Sequence, residues 1–66
     1  MQEIKKQYDI VENLISQNGA TMQHIEIIYG LADISINEKE NKEYGLKLSA
    51  RAKELLEKLI FELFFK

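Results

Sequence analysis

The sequence predicts an all-α fold, a two- or three-helix hairpin or bundle completed by homodimerisation. Three observations predict it. Apolar residues recur at helical spacing near both ends of the chain, over residues 2–17 and 46–65. Proline is absent, so nothing in the chain removes a helical N–H or forces a kink. The chain has 66 residues and no cysteine. A domain of this size buries only about 60% of its extended-chain surface, and association is the staple left once disulfides and thiolate metal sites are excluded. We therefore read 1–66 as one helical domain, with helices over 2–17, 21–33 and 46–65 and a polar connection over 35–45.

In the first helix Ile4, Tyr8, Val11 and Ile15 fall at spacings of four, three and four, one narrow stripe of a 3.6-residue repeat. Leu14 and Ile10 widen it, and Lys5, Lys6, Asp9, Glu12 and Asn13 cover the rest. Asn18-Gly19 follows at once, and glycine is the usual residue for a left-handed C-terminal cap. Thr21 then caps a second helix through its hydroxyl.

The second segment is less regular. Met22, Ile25, Ile28, Tyr29 and Ala32 share one side, while Ile27, Leu31 and Ile34 lie on the other. A helix apolar all round is one buried between neighbours. The rival is a strand over residues 22–36, since IEIIYGLADISI is rich in β-branched residues and partly alternates. Gly30 weakens either element by about 0.5–1 kcal/mol relative to Ala.

The stretch SINEKENKEYG (35–45) is polar. Ser35 with Glu38 has capping-box spacing, as does Asn37 with Glu40, and Gly45 marks a break or a frayed turn. In the last helix Leu48, Ala52, Leu55, Leu56, Leu59 and Leu63 share an arc of about 100°. Glu54–Lys58 and Glu62–Lys66 are opposite charges four apart, each pair worth a few tenths of a kcal/mol. Ile60 and Phe64 extend the apolar face on one flank, but Phe61 and Phe65 project from roughly the opposite side. A single core behind this helix leaves those two rings in water, which argues for a partner surface over them.

Several function classes lack their parts. Nothing resembles a GxSxG elbow, a phosphate-binding glycine loop or HExxH, no cysteine nucleophile exists, and no enzyme or cofactor is expected. His24 is the one imidazole; a histidine can serve as base or pH switch, and the plainer reading is a partly exposed side chain bonding the adjacent turn. Glu38, Glu40 and Glu43 are interleaved with Lys39 and Lys42 and lack the DxDxDG pattern of a calcium loop, so no metal site is expected.

A net charge of −2, with eight of the nine cations lysine, gives no basic field toward nucleic acid. Arg51 alone has the fork that suits phosphates and bases. Residues 11–34 can be drawn as a helix-turn-helix, but its second helix is dominated by Ile and Leu rather than by groups that read base edges. The C-terminal LEKLIFELFFK carries as many Glu as Lys, a poor match to an anionic membrane surface. The N-terminus has no uninterrupted apolar run of a secretory signal, no stretch approaches the ~20 apolar residues of a membrane span, and a cytoplasmic location is expected.

A helix, the turn Asn18-Gly19-Ala20-Thr21 and a second helix, over about residues 4–33, resemble the small bacterial hairpins that dephosphorylate sporulation response regulators. The resemblance implies a helical hairpin. It does not carry that family's activity, because the SQELD motif is replaced here by IYGLADI, with Asp33 alone near the place of the acid.

The expected function is a small regulatory protein-interaction module, of inhibitor, antirepressor or adaptor type, that docks apolar helix faces on a larger protein and self-associates. The alternatives are a small dimeric DNA-associated regulator and a peripheral membrane-surface helix protein. The partner-binding candidates are Phe61, Phe64 and Phe65, with Ile27 and Leu31 next.

Overall fold

The computed structural model describes residues 2–38 and 41–65. It contains three helices, α1 (Gln2–Asn18), α2 (Met22–Asn37) and α3 (Lys42–Phe64). The expected Asn37–Glu40 cap, the Glu38/Glu40/Glu43 cluster with Lys39, and the Glu62–Lys66 pair involve residues 39, 40 or 66 and lie outside the described residues. Among the described residues, no helix is long and apolar enough to cross a membrane.

The first turn forms as its residues dictate. Gly19 takes a φ of +84°, and its N–H donates to the Ile15 carbonyl at 2.7 Å, closing α1 with a left-handed cap. The Thr21 hydroxyl accepts from the His24 N–H, and His24 Nδ1 accepts from the Thr21 N–H, both at 3.3 Å. This is a capping box with histidine where Glu or Gln is usual.

Residues 22–36 are helix, not strand. Ile25, Ile28, Ala32 and Ser35 are its buried residues, and their spacings of three, four and three define one helical face. The expectation of a helix enclosed on every side does not hold. Ile27, Tyr29 and Ile34 are open to solvent, and Leu31 is half-buried. Gly30 sits in this exposed region, and a Cβ added there meets nothing within 4 Å. Gly30→Ala is accordingly expected to raise stability by about 0.5–1 kcal/mol, read as a higher urea midpoint at unchanged slope.

The polar connection is much shorter than 35–45. α2 runs on to Asn37, and α3 already begins at Lys42. The Glu38 N–H donates to the Ser35 carbonyl, the Asn41 N–H donates to the Glu38 carbonyl, and the Asn41 side-chain amide donates to the Glu38 carboxylate at 2.6 Å. This tight link leaves Asn41 buried and turns the chain straight back on itself.

Packing explains why the helices extend inward. Gly45 is no break: it is buried inside α3, where a Cβ would stand 2.8 Å from the Ala32 carbonyl oxygen and 2.7 Å from Ile36 Cγ1. Ser35 is not a cap but a fully buried helix residue whose hydroxyl has no hydrogen-bond partner. Gly45 and Ala52 on α3, with Ala32 and Ser35 on α2, make the buried faces rich in small residues, and such side chains let two backbones come close. Gly45, Leu48, Ala52 and Leu55 recur at three, four and three, matching the α2 spacing, which is the pattern of a coiled-coil seam.

α1 lays Ile4 and Val11 into the same core, with Tyr8 and Ile15 partly buried beside it. It touches α3 through longer side chains: no Cα of α1 comes within 8 Å of one in α3. Tyr8 meets Tyr44 edge to face, with ring centroids 6.4 Å apart.

α3 outruns its partners. It has 23 residues against 17 in α1 and 16 in α2, a difference of about 10 Å at ~1.5 Å per residue. Because Tyr44 lies beside Tyr8 and Arg51 beside Glu12, the excess falls at the C-terminal end, past the α1–α2 turn. The molecule is correspondingly long, 41 × 19 × 14 Å.

Candidate interaction surface

The overhang carries most of the exposed apolar bulk. Phe61, Phe64 and Phe65 are 61, 77 and 71% exposed, with Ile60 and Leu63 also open. The expectation of Leu63 as part of the core arc is corrected here. Its angular position is right, but the helices that would cover it have ended, and the buried stripe closes at Leu55 with Leu59 half-buried. Phe61 and Phe65 stack on each other, centroids 5.0 Å apart and planes 26° apart, as their four-residue spacing on one helix permits. The Phe65 N–H donates to the Phe61 carbonyl at 2.8 Å, so the helical geometry holds to the last ring.

The second-choice candidates lie elsewhere. Ile27 is exposed on α2. Leu31 and Ile34 line a shallow groove of about 370 Å³ between α2 and α1, opposite Ile4 and Gln7. That groove is at the end where α1 starts and α2 finishes, remote from the overhang. Gln7, Ile10 and Leu14 continue the α1 side of it at spacings of three and four, with Ile10 and Leu14 exposed. The phenylalanines thus form one surface and Leu31 belongs to another.

Between α1 and α3 the absence of close backbone contact leaves a cleft of about 450 Å³ at the base of the overhang. Ile15, Ala20, Leu55 and Leu59 give it apolar walls, and Lys58 and Glu62 stand on the α3 side. Sequence reasoning missed it, since the gap arises from how far the side chains of α1 hold it from α3.

It also missed the polar cluster that ties α1 to α3. Glu12 accepts from Arg51 Nε at 2.8 Å and from Arg51 Nη2 at 3.1 Å, a two-pronged carboxylate–guanidinium pair. The Tyr8 hydroxyl donates to the same carboxylate, and Arg51 Nη1 donates to Glu54. The guanidinium singled out for phosphates and bases is therefore occupied by two carboxylates, and Glu54 pairs with Arg51 rather than with Lys58. The sequence signal was the lone arginine among eight lysines, but its partner lies 39 residues away.

Electrostatics follow from these contacts. Hydrogen bonding from Arg51 holds the Glu12 carboxyl below the usual carboxylate range, against the opposing effect of burial. Burial, reinforced by Glu12, pushes the Tyr8 hydroxyl up; burial, then the charge on Asp9, does the same to Tyr44. A carboxyl depressed in the folded state stabilises the fold above its unfolded value of about 4.3 and loses that contribution as pH falls through the lower folded value. Glu12→Gln should cost about 1 kcal/mol at pH 7, since the pair is part-exposed. It should also flatten the fall in thermal midpoint below about pH 4.3; an unchanged acid limb in a pH series of melts would show that the pair contributes nothing.

No known protein family, characterised protein or solved structure matches this chain.

Proposed function

We propose that the protein is a small regulatory interaction module: it self-associates and docks an apolar helix surface on a larger protein, with no catalysis of its own. The observation that carries this is the overhang of α3, where three phenylalanines more than half exposed stand on a rigid helix. Large contiguous apolar patches on a small protein mark interaction surfaces, and aromatic side chains dominate the energetics of such contacts. The groove between α1 and α2, with Leu31, Ile34 and the nearby exposed Ile27, offers a second face of helix-in-groove character. Self-association and foreign docking therefore have separate surfaces to use.

The test is a double substitution, Phe61→Glu with Phe65→Glu. Both rings project from the bundle, so the variant should keep its helical circular dichroism and its thermal midpoint. The proposal predicts that binding, to itself or to a protein retained from the source cell, is lost in that variant. A folded variant that binds all that the unaltered chain binds contradicts it.

A further inference from the structure

We infer that the occupant of the α3 overhang is a second copy of this chain, paired antiparallel about a two-fold axis near residue 60, so that each copy's Phe61–Phe65 stack covers the other's α1–α3 cleft. This inference rests on the interaction reading above and assigns one of its surfaces to self-association.

Three observations support it. The first is self-complementarity. A projecting aromatic pair and an apolar cleft lie next to each other on the same helix, the cleft using Leu55 and Leu59 and the stack beginning two residues on. Antiparallel pairing about residue 60 sets Phe61 opposite the partner copy's Leu59 and Phe65 opposite its Leu55. Both features are then satisfied at once, and the assembly closes as an isologous dimer.

The second is charge. The same register puts Lys58 of each copy opposite Glu62 of the other, two residues either side of the axis. Lys58 and Glu62 both border the cleft, so the two pairs form at its rim, where opposite charges fix register and choice of partner.

The third is area. Taking ~200 Å² for a phenylalanine, the three rings at 61–77% exposure leave on the order of 400 Å² bare on each copy. With each copy contributing a stack and a cleft, the total buried passes the ~1,000 Å² that marks a specific interface. A patch of this size placed on one flat foreign surface would leave the cleft open.

The experiment is a charge swap followed by light scattering on a sizing column. Lys58→Glu alone sets like charges against each other at two places, and so does Glu62→Lys alone. Each variant by itself should dissociate at least tenfold more readily than the unaltered chain. Mixed in equal amounts they should form a mixed dimer of restored affinity, because position 58 of either copy then faces an opposite charge at position 62 of the other. Both substitutions lie on the exposed part of α3, and circular dichroism of each variant confirms the fold.

Two outcomes overturn the inference and separate it from the reading it rests on. A dimer indifferent to both single swaps, or single variants not rescued by mixing, shows self-association through another face and leaves the interaction module standing. A chain that stays monomeric in every form removes self-association itself.

Discussion

Replacing Gly45 by alanine should destabilise the protein by about 3 kcal/mol, although alanine is the better helix former. In an exposed helix interior the same change stabilises by ~0.5–1 kcal/mol, and Gly30→Ala is expected to behave that way. At Gly45 the added methyl would lie 2.8 Å from both the Ala32 carbonyl oxygen and the Ile36 backbone nitrogen. These are backbone atoms inside α2 and cannot swing aside, so α2 and α3 must separate. Separation loosens Leu48 and Ala52, both essentially fully buried. Overpacking of this kind costs ~1–3 kcal/mol or somewhat more, and the gain in intrinsic propensity offsets little of it. A urea titration of the two alanine variants side by side makes the comparison: opposite signs at Gly30 and Gly45 are expected. Gains at both positions would mean that α2 and α3 do not approach as closely as described.

The second large effect falls on association. Phe61→Glu with Phe65→Glu should weaken self-association by a hundredfold or more. Burying a phenylalanine side chain is worth ~1.5–3 kcal/mol, so two rings per copy place roughly 3–6 kcal/mol at stake. A loss of ~3 kcal/mol corresponds to about a hundredfold in the dissociation constant. Fold stability of the monomer should change little, because both rings stand largely in solvent and the glutamates would remain in water. A variant that melts far below the unaltered chain at a concentration where both are monomeric would mean that the rings pack within the bundle.

Ser35 bears on the same packing. Its hydroxyl is buried without a partner, and an unpaired polar group in such a place works against stability. What it contributes is size: a larger side chain there would hold α2 away from α3, as a methyl at Gly45 would.

Much of the architecture is legible in the residues because its signals are local. The α1 stripe from Ile4 to Ile15, the left-handed Gly19 and the Thr21 cap each speak within a few residues, and each forms as its sequence predicts. Gly45 misleads because its local and tertiary meanings differ. A glycine in a polar stretch suggests a break, and only the backbone of α2 beside it reveals a contact position. Leu63 misleads for a related reason: periodicity gives the angle of a side chain around a helix but not the length of its neighbours. The Glu12–Arg51 pair joins residues 39 apart and leaves no mark on local sequence. Of the interaction candidates, Phe61 and Phe65 are visible as apolar residues on the wrong side of an amphipathic helix. Phe64 is exposed for a different cause, the end of α1 and α2. The α1–α3 cleft follows from helix placement alone and has no sequence signature.

The central claim is that the apolar end of α3 is a binding surface built to be covered. Light scattering on a sizing column, over a hundredfold range of concentration, tests it most directly. The account predicts a species of twice the 7.7 kDa chain mass at the upper end, giving way to the monomer on dilution or on Phe61→Glu, Phe65→Glu substitution. A thermally stable 7.7 kDa monomer across the whole range would contradict it.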